Sequence, residues 1–182
     1  MLARIFSLFA GKQPDPRAVD LYSGIVAQSR QAGFYRDHGV PDSLDGRFDM
    51  VVLHSFLVMR RLRRIGSEAE PLNQQLFDLM FADMDSNLRE IGVGDLSVGK
   101  KVKTMAQAFY GRVESYEAAL QAADDAALRE ALARNLYAGK AAPDMPGLRA
   151  VSTYVRRADA ELAGQPDSEI LAGKLVFPAL AG

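Results

Sequence analysis

The chain has 182 residues, 22 basic side chains against 23 acidic ones, and a net charge of −1. That balance excludes a domain whose main work is gripping DNA, which carries a clear basic excess. Cysteine is absent, which excludes disulfides, thiolate catalysis, zinc fingers and iron–sulfur ligation.

Residues 1–12 stand apart as a short amphipathic segment. Leu2, Ile5, Phe6 and Phe9 recur at helical spacing with Arg4 and Lys12 nearby, so the segment either touches a membrane interface or folds back on the core. Met1 to Ala10 is too short for a signal or transit peptide, and no stretch approaches the ~20 apolar residues of a membrane span. The expectation is a cytoplasmic protein with residues 13–182 as one domain.

Asp15-Pro16 sets a capping carboxylate before a proline at the first helical position, predicting a helix that runs to Ala32 and stops at Gly33. Phe34 to Ser43 is expected to be a loop. A second helix, about 44–65, stops at Gly66. Phe48, Met50, Val52, Leu53, Phe56, Leu57, Val58, Met59 and Leu62 cover most of its circumference. A helix apolar all round is surrounded by others, so this is the predicted central element. Glu70-Pro71 opens a third helix ending at Gly92, and Ser97 is placed to cap a long fourth reaching about Ala123. Asp124 caps a fifth that stops at Gly139. A turn from Ala142 to Gly147 leads to a sixth, ending at Gly164, and Pro166 to Lys174 suits a short seventh. Apolar residues recur three or four apart at Leu72, Leu76, Leu79, Met80 and at Val102, Met105, Phe109, Val113, Tyr116, and strand-like alternation is absent. The expected fold class is all-α: a single compact bundle of six to seven helices around the buried helix at 44–65.

Candidate chemistry fails on context. Gly94-Asp95-Leu96-Ser97-Val98-Gly99-Lys100 has phosphate-loop spacing, but Lys101 stands where the magnesium-holding hydroxyl belongs and a helix precedes it rather than a strand. Asp78, Asp83, Asp85, Glu90 and Asp95 form a carboxylate-rich stretch without a nearby histidine, so no metal is predicted. Asp85 and Arg89 are spaced as a helix-surface ion pair. His54 reads as a hydrogen-bonded core histidine and His38 as an exposed loop residue. No catalytic residues and no cofactor are predicted. Arg60, Arg61, Arg63 and Arg64 close the second helix, either complementing its dipole or forming a patch for an acidic partner, lipid headgroups or RNA. Gly111 in the fourth helix is read as a bundle-packing contact.

Several of these residues together resemble a known family. They are Phe34-Tyr35-Arg36, Gly39-Val40-Pro41-Asp42, Asp45-Gly46-Arg47-Phe48-Asp49, Leu53-His54, Asp83-Met84-Asp85, Leu88-Arg89-Glu90-Ile91-Gly92-Val93-Gly94-Asp95, Lys100 to Lys103, Phe109-Tyr110-Gly111-Arg112 and Tyr116. The set is similar to the ubiquinol–cytochrome c chaperones, with a family-like core at about 34–120 inside a domain spanning 13–182. The resemblance implies a short bacterial-type assembly factor without enzymatic activity. It would bind newly made cytochrome b during biogenesis of the bc1 complex. It further implies a cytoplasmic site, peripheral at the inner membrane (the mitochondrial matrix in eukaryotic relatives), and possible contacts with the ribosome and the membrane surface. Under this reading, Asp83, Asp85, Arg89, Glu90, Asp95, Lys100, Lys103 and the four arginines 60, 61, 63 and 64 meet the client. The alternative is a carrier of a lipid, quinone or haem in an inter-helix pocket lined by Met50, Met59, Met80, Met84 and Met105.

Overall fold

The computed structural model describes residues 14–122 and 124–180. The amphipathic segment expected at 1–12, with Leu2, Ile5, Phe6 and Phe9, lies outside the described residues. The described elements are α1 (Pro16–Ser29), α2 (Ala32–Arg36), α3 (Leu44–Ile65), a 3-10 turn (Ser67–Ala69), α4 (Glu70–Glu90), α5 (Asp95–Gln121), α6 (Ala126–Asn135), α7 (Pro146–Gly164) and α8 (Asp167–Leu171). No strand occurs among the described residues. Six of the helices have ten residues or more, in accord with the expected all-α bundle.

Helix α3 is the axis. The Ser43 hydroxyl accepts from the Gly46 amide at 3.1 Å and starts it. Met50, Leu53, Phe56, Leu57 and Leu62 are then fully buried along it, against α1, α4, α5 and α7. Methionines 50, 59, 80 and 84 are core residues, which corrects the expectation that they line a carrier pocket. Two grooves of about 480 and 380 Å³ open on the surface, and neither is lined by a methionine.

Boundaries differ from the sequence reading where tertiary contacts intervene. Helix α1 stops at Ser29, not Ala32, because the Tyr35 hydroxyl takes the Ser29 carbonyl at 2.7 Å. The chain then turns into α2, inside the expected loop, to bury Phe34 edge-on against His54 and Tyr154. Helix α5 starts at Asp95 with no side-chain cap, so Ser97 lies inside it. Helix α6 ends at Asn135; Ala138 and Gly139 then adopt φ of 52° and 71°. The C-terminal segment packs: Leu175, Phe177 and Leu180 rest on the core, and Gln165 holds the Val176 backbone through both amide and carbonyl at 3.1 and 2.7 Å.

His38 is buried rather than exposed. Its carbonyl accepts from the Tyr137 hydroxyl at 3.0 Å and presses on α7. A Cβ on Gly147 would meet the His38 carbonyl oxygen at 2.2 Å, and one on Gly46 would meet that of Pro41 at 2.0 Å. The loop between α2 and α3 is thus clamped between two helix starts that only glycine permits.

Polar groups inside the bundle are tied across elements. The His54 ring nitrogens contact the Met50 carbonyl and the Tyr154 hydroxyl, both at 2.8 Å. That pairing fits a neutral ring donating through Nδ1 and accepting at Nε2. Desolvation, opposed only by the Met50 hydrogen bond, holds its pKa down at about 4. Asp49 on α3 pairs with Arg112 on α5 at 2.8 Å, but the guanidinium N–H groups do not line up on Asp49 Oδ1, which lacks a hydrogen-bond partner. Burial outweighs the Arg112 charge and pushes the Asp49 carboxyl up to about 6.

Arg60 and Arg61 are withdrawn from the expected patch. Arg60, 9% exposed, reaches Glu117 on α5 at 3.0 Å and Asp159 on α7 at 2.9 Å. Arg61 donates to the Leu162 and Gln165 carbonyls at 2.7 and 2.8 Å and pairs with Asp167, closing the end of α7. Only Arg63 and Arg64 remain near the surface, each leaning on the same carboxylates at 3.4 Å. Sequence shows the arginines as neighbours, but successive residues on a helix point about 100° apart.

Two tests follow from these contacts. Gly46→Ala or Gly147→Ala should destabilise by about 3 kcal/mol or more, because the obstacle is backbone that cannot yield as a side chain would. Gly111→Ala, which meets nothing within 4 Å, should instead stabilise by up to about 1 kcal/mol. Urea unfolding of the three variants decides this. The pH dependence has two opposed parts. The lowered His54 value means stability present above the ordinary imidazole range and lost as pH falls toward 4. The raised Asp49 value means stability present near pH 4 and lost as pH rises through about 6. Between pH 7 and 4, His54→Gln should lose less stability than the unmodified chain, and Asp49→Asn should lose more, each by about 2–3 kcal/mol. Parallel unfolding profiles for all three proteins would contradict both assignments.

Candidate functional site

Helices α4 and α5 form an antiparallel hairpin whose far end projects from the bundle. Its lower part is core: Leu76, Met80, Phe109 and Tyr116 are buried. Toward the turn, burial thins out. Of the first fourteen residues of α5 only Val98 is buried, while Ile91 and Leu96 are exposed.

The charged residues singled out from sequence fall along this hairpin, though not as one cluster. Asp83 faces inward and accepts from the Tyr22 hydroxyl at 2.8 Å, tying α1 to α4. Asp78 accepts from Gln74 one turn away at 2.9 Å. Arg89 bridges the hairpin: it meets Asp85 at 2.6 Å, as the spacing predicted, and also Asp95 at the start of α5. Glu90 sits beside this bridge on the surface. Lys100 and Lys103 lie further along α5, exposed. No group of three metal-ligating side chains comes together among the described residues. The phosphate-loop spacing at 94–100 is the first turns of α5, where the Ser97 and Val98 amides are spent on the Gly94 carbonyl at 2.8 and 3.2 Å. The segment is the start of a helix rather than the strand-to-helix loop that cradles a phosphate.

An aromatic face on the same hairpin was not read from sequence as a surface. Phe77 and Phe81 on α4 stack at 4.6 Å between ring centroids. Both meet Phe109 on α5 edge-on, at 5.6 and 5.9 Å. Tyr110 closes the group 6.0 Å from Phe77, with its ring 60% exposed. Phe77 and Phe81 are themselves only half-buried. The i,i+4 pair on α4 and the adjacent pair on α5 are visible in sequence; their meeting is not. Arg112 borders this face, lying 5.9 Å above the Phe48 ring while pairing with Asp49. Gly111 does not serve bundle packing as expected: it faces the open groove between α5 and α6, with Ser115, Ala118 and Ala127.

Part of the set quoted for the family resemblance converges, while Phe34 and His54 pack together against Tyr154 and Gly39 to Asp42 lie between α2 and α3. Phe48 and Asp49 from α3, Asp85 and Arg89 from α4, and Asp95, Phe109, Tyr110 and Arg112 from α5 belong to one hairpin and its base. None forms a nucleophile–base pair or another reacting constellation. What they offer is an apolar aromatic surface with a paired-charge rim.

Comparison with known proteins agrees. Residues 36–177 match the family model described as Ubiquinol-cytochrome C chaperone. The ubiquinol-cytochrome-c reductase complex assembly factor 1 of Xenopus laevis is 24% identical over 140 residues, covering 77% of this chain and 69% of that protein. The mitochondrial protein CBP3 of Saccharomyces cerevisiae is 28% identical over 147 residues, covering 79% of this chain and 44% of that protein. The chain thus spans less than half of the yeast relative's length. The crystal structure of the Cbp3 homolog from Brucella abortus superimposes with a TM-score of 0.83 at 34% identity, over 99% of this chain and 98% of that one. The matched family is one of assembly chaperones, not of enzymes. With most of its length matched by the family model and nearly all of it by a solved relative, the chain belongs to the ubiquinol–cytochrome c chaperone family.

Proposed function

We propose that this chain binds newly made cytochrome b and holds it during assembly of the bc1 complex, acting where cytochrome b is inserted, at the inner face of the membrane. The carrying observation is the match of residues 36–177 to the chaperone family, with relatives whose names describe assembly factors of that complex. Of the partners the resemblance implies, cytochrome b is the one the aromatic face of the hairpin suits.

A membrane protein before assembly presents apolar helix faces ending in charged loops. The half-exposed rings of Phe77, Phe81 and Tyr110 can take up an apolar edge with little ordering cost, since an aromatic ring has two torsions to fix. Asp85, Arg89, Glu90 and Asp95 lie beyond them on the same hairpin, where loop charges can exchange with the Arg89 bridge. Because that bridge is solvent-exposed, water takes over its charges when it opens and the opening costs little. A retained apolar ligand is disfavoured: the 480 Å³ groove is lined by Arg30, Arg36, Arg47 and Asp42 with Tyr35 and Val40, a charged surface rather than an apolar pocket.

The tagged full chain, incubated with detergent-solubilised membranes, is expected to recover cytochrome b. Tyr110→Ala should reduce recovery about tenfold or more, as truncation of an aromatic anchor does. Asp85→Ala combined with Arg89→Ala should reduce it less. All variants should keep the helical circular dichroism of the parent. No enrichment of cytochrome b over an unrelated tagged helical protein would contradict the proposal.

A further inference from the structure

Helix α5 carries a second surface, which takes Lys100 and Lys103 away from the client to which the sequence reading assigned them. Leu96 is 100% exposed and Ile91, across the turn from it, is 56% exposed. Directly behind them on α5 stand Lys100, Lys101 and Lys103, all exposed. Leu96, Lys100 and Lys103 are spaced four and three apart, so they follow one stripe of the helix. No acidic residue occurs on α5 between Asp95 and Glu114. Asp85 and Asp95 are both engaged by Arg89. None of the three lysines has an ion-pair partner among the described residues. The end of the hairpin is therefore an apolar tip, with Glu90 beside Ile91, followed along α5 by three exposed lysines.

We propose that this tip docks on an anionic lipid surface, with Leu96 and Ile91 entering the headgroup–acyl boundary and Lys100, Lys101 and Lys103 lying over the headgroups. The choice of lipid over an acidic protein or RNA rests on residue type. Arginine is the fixed-geometry cation of this chain, 16 against 6 lysines, and three of those six lysines are gathered here. Among the described residues, the ion pairs between helices are made by arginine, as at Arg60 and Arg112, while Lys174 pairs only with nearby Glu169. An ammonium on a long flexible stem suits headgroups that move and exchange, whereas a guanidinium fork suits fixed planar partners. Water-exposed leucine and isoleucine at the tip add what a bilayer rewards and an RNA backbone does not. Residues 1–12 need not take part, and the docking does not depend on which client the aromatic face holds.

A lysine near an anionic surface contributes about a fivefold factor in partitioning, so loss of all three predicts a fall of at least about tenfold. The experiment is co-sedimentation of the full chain with vesicles of phosphatidylcholine alone, and of phosphatidylcholine mixed equally with phosphatidylglycerol. Binding is expected only to the anionic vesicles, and it should weaken as salt is raised. The Lys100→Glu, Lys101→Glu, Lys103→Glu variant should lose it. The Lys140→Glu, Arg149→Glu, Arg157→Glu variant makes the same charge change at exposed sites elsewhere and should keep it. Because the chain has no cysteine, Leu96→Cys can carry a polarity-sensitive dye, whose emission should shift to the blue on anionic vesicles. The same dye at Leu44→Cys, also exposed, should not shift. Equal loss in both charge variants would reduce the effect to net charge and overturn the proposal. Undiminished binding of the α5 variant, including binding carried by residues 1–12 alone, would overturn it too. So would loss of cytochrome b recovery with vesicle binding intact, which would assign the lysines to the client.

Discussion

Helix α3 is apolar around most of its circumference, so every neighbour in the bundle is positioned by the need to keep water off it. Helices α1, α4, α5 and α7 each cover part of it. An unpaired buried polar group costs about 1–3 kcal/mol and an unpaired charge more, and the covering helices meet most of the polar groups on α3, though Ser55 Oγ and Asp49 Oδ1 lack a hydrogen-bond partner. His54 is answered by Tyr154 of α7. Asp49 is answered by Arg112 of α5, and Arg60 by Glu117 and Asp159 of α5 and α7. These cross-ties fix the rotation of α5 and α7 about the central helix, which hydrophobic burial alone leaves loose. The orientation of α5 in turn decides which of its faces is left open.

That opening is where structure turns into function. The hairpin of α4 and α5 is anchored at its base by core packing and by the Asp49–Arg112 pair, and it thins toward the turn until hardly any side chain is buried. A core-facing element would have no reason to expose Leu96, Ile91 and Tyr110 together. Its charges divide into two kinds. Asp85 and Asp95, on either side of the turn, are paired with Arg89, while Lys100, Lys101 and Lys103 on α5 are left to the solvent. A protein that belongs to a family of assembly chaperones has no reaction to perform, and its useful chemistry is the set of surfaces it leaves unpaired. The aromatic face and the lysine-bearing tip are two such surfaces on one projecting arm.

Much of this fold was legible in the sequence because its strongest signals are local. The circumference of 48–62 announces a buried helix, Asp15-Pro16 announces a helix start, and Asp85 with Arg89 announces a surface pair. What escaped was tertiary. Arg60 meets carboxylates 57 and 99 residues away, so a run of arginines that looks like one surface patch divides between the interior and the rim. The five-residue α2 exists to bury Phe34, and no periodicity of that length can signal it. His38 is buried because Gly46 and Gly147 let two helix starts close on its loop, and neither glycine reveals from sequence what it will touch. The aromatic face needed α4 and α5 to be brought side by side, although the spacing of Phe77 and Phe81 hinted at half of it. The family resemblance reached further than the local physics, because part of the set quoted for it, Phe48, Asp49, Asp85, Arg89, Asp95, Phe109, Tyr110 and Arg112, belongs to the hairpin and its base.

The central claim is that this chain is needed for cytochrome b to reach the bc1 complex. Deleting its gene in the host and measuring cytochrome b protein and quinol–cytochrome c reductase activity in isolated membranes tests that most directly. Both are expected to fall together while cytochrome b messenger RNA is unchanged, and a plasmid copy of the unmodified chain should restore them. Normal cytochrome b and normal reductase activity in the deletion strain would contradict it.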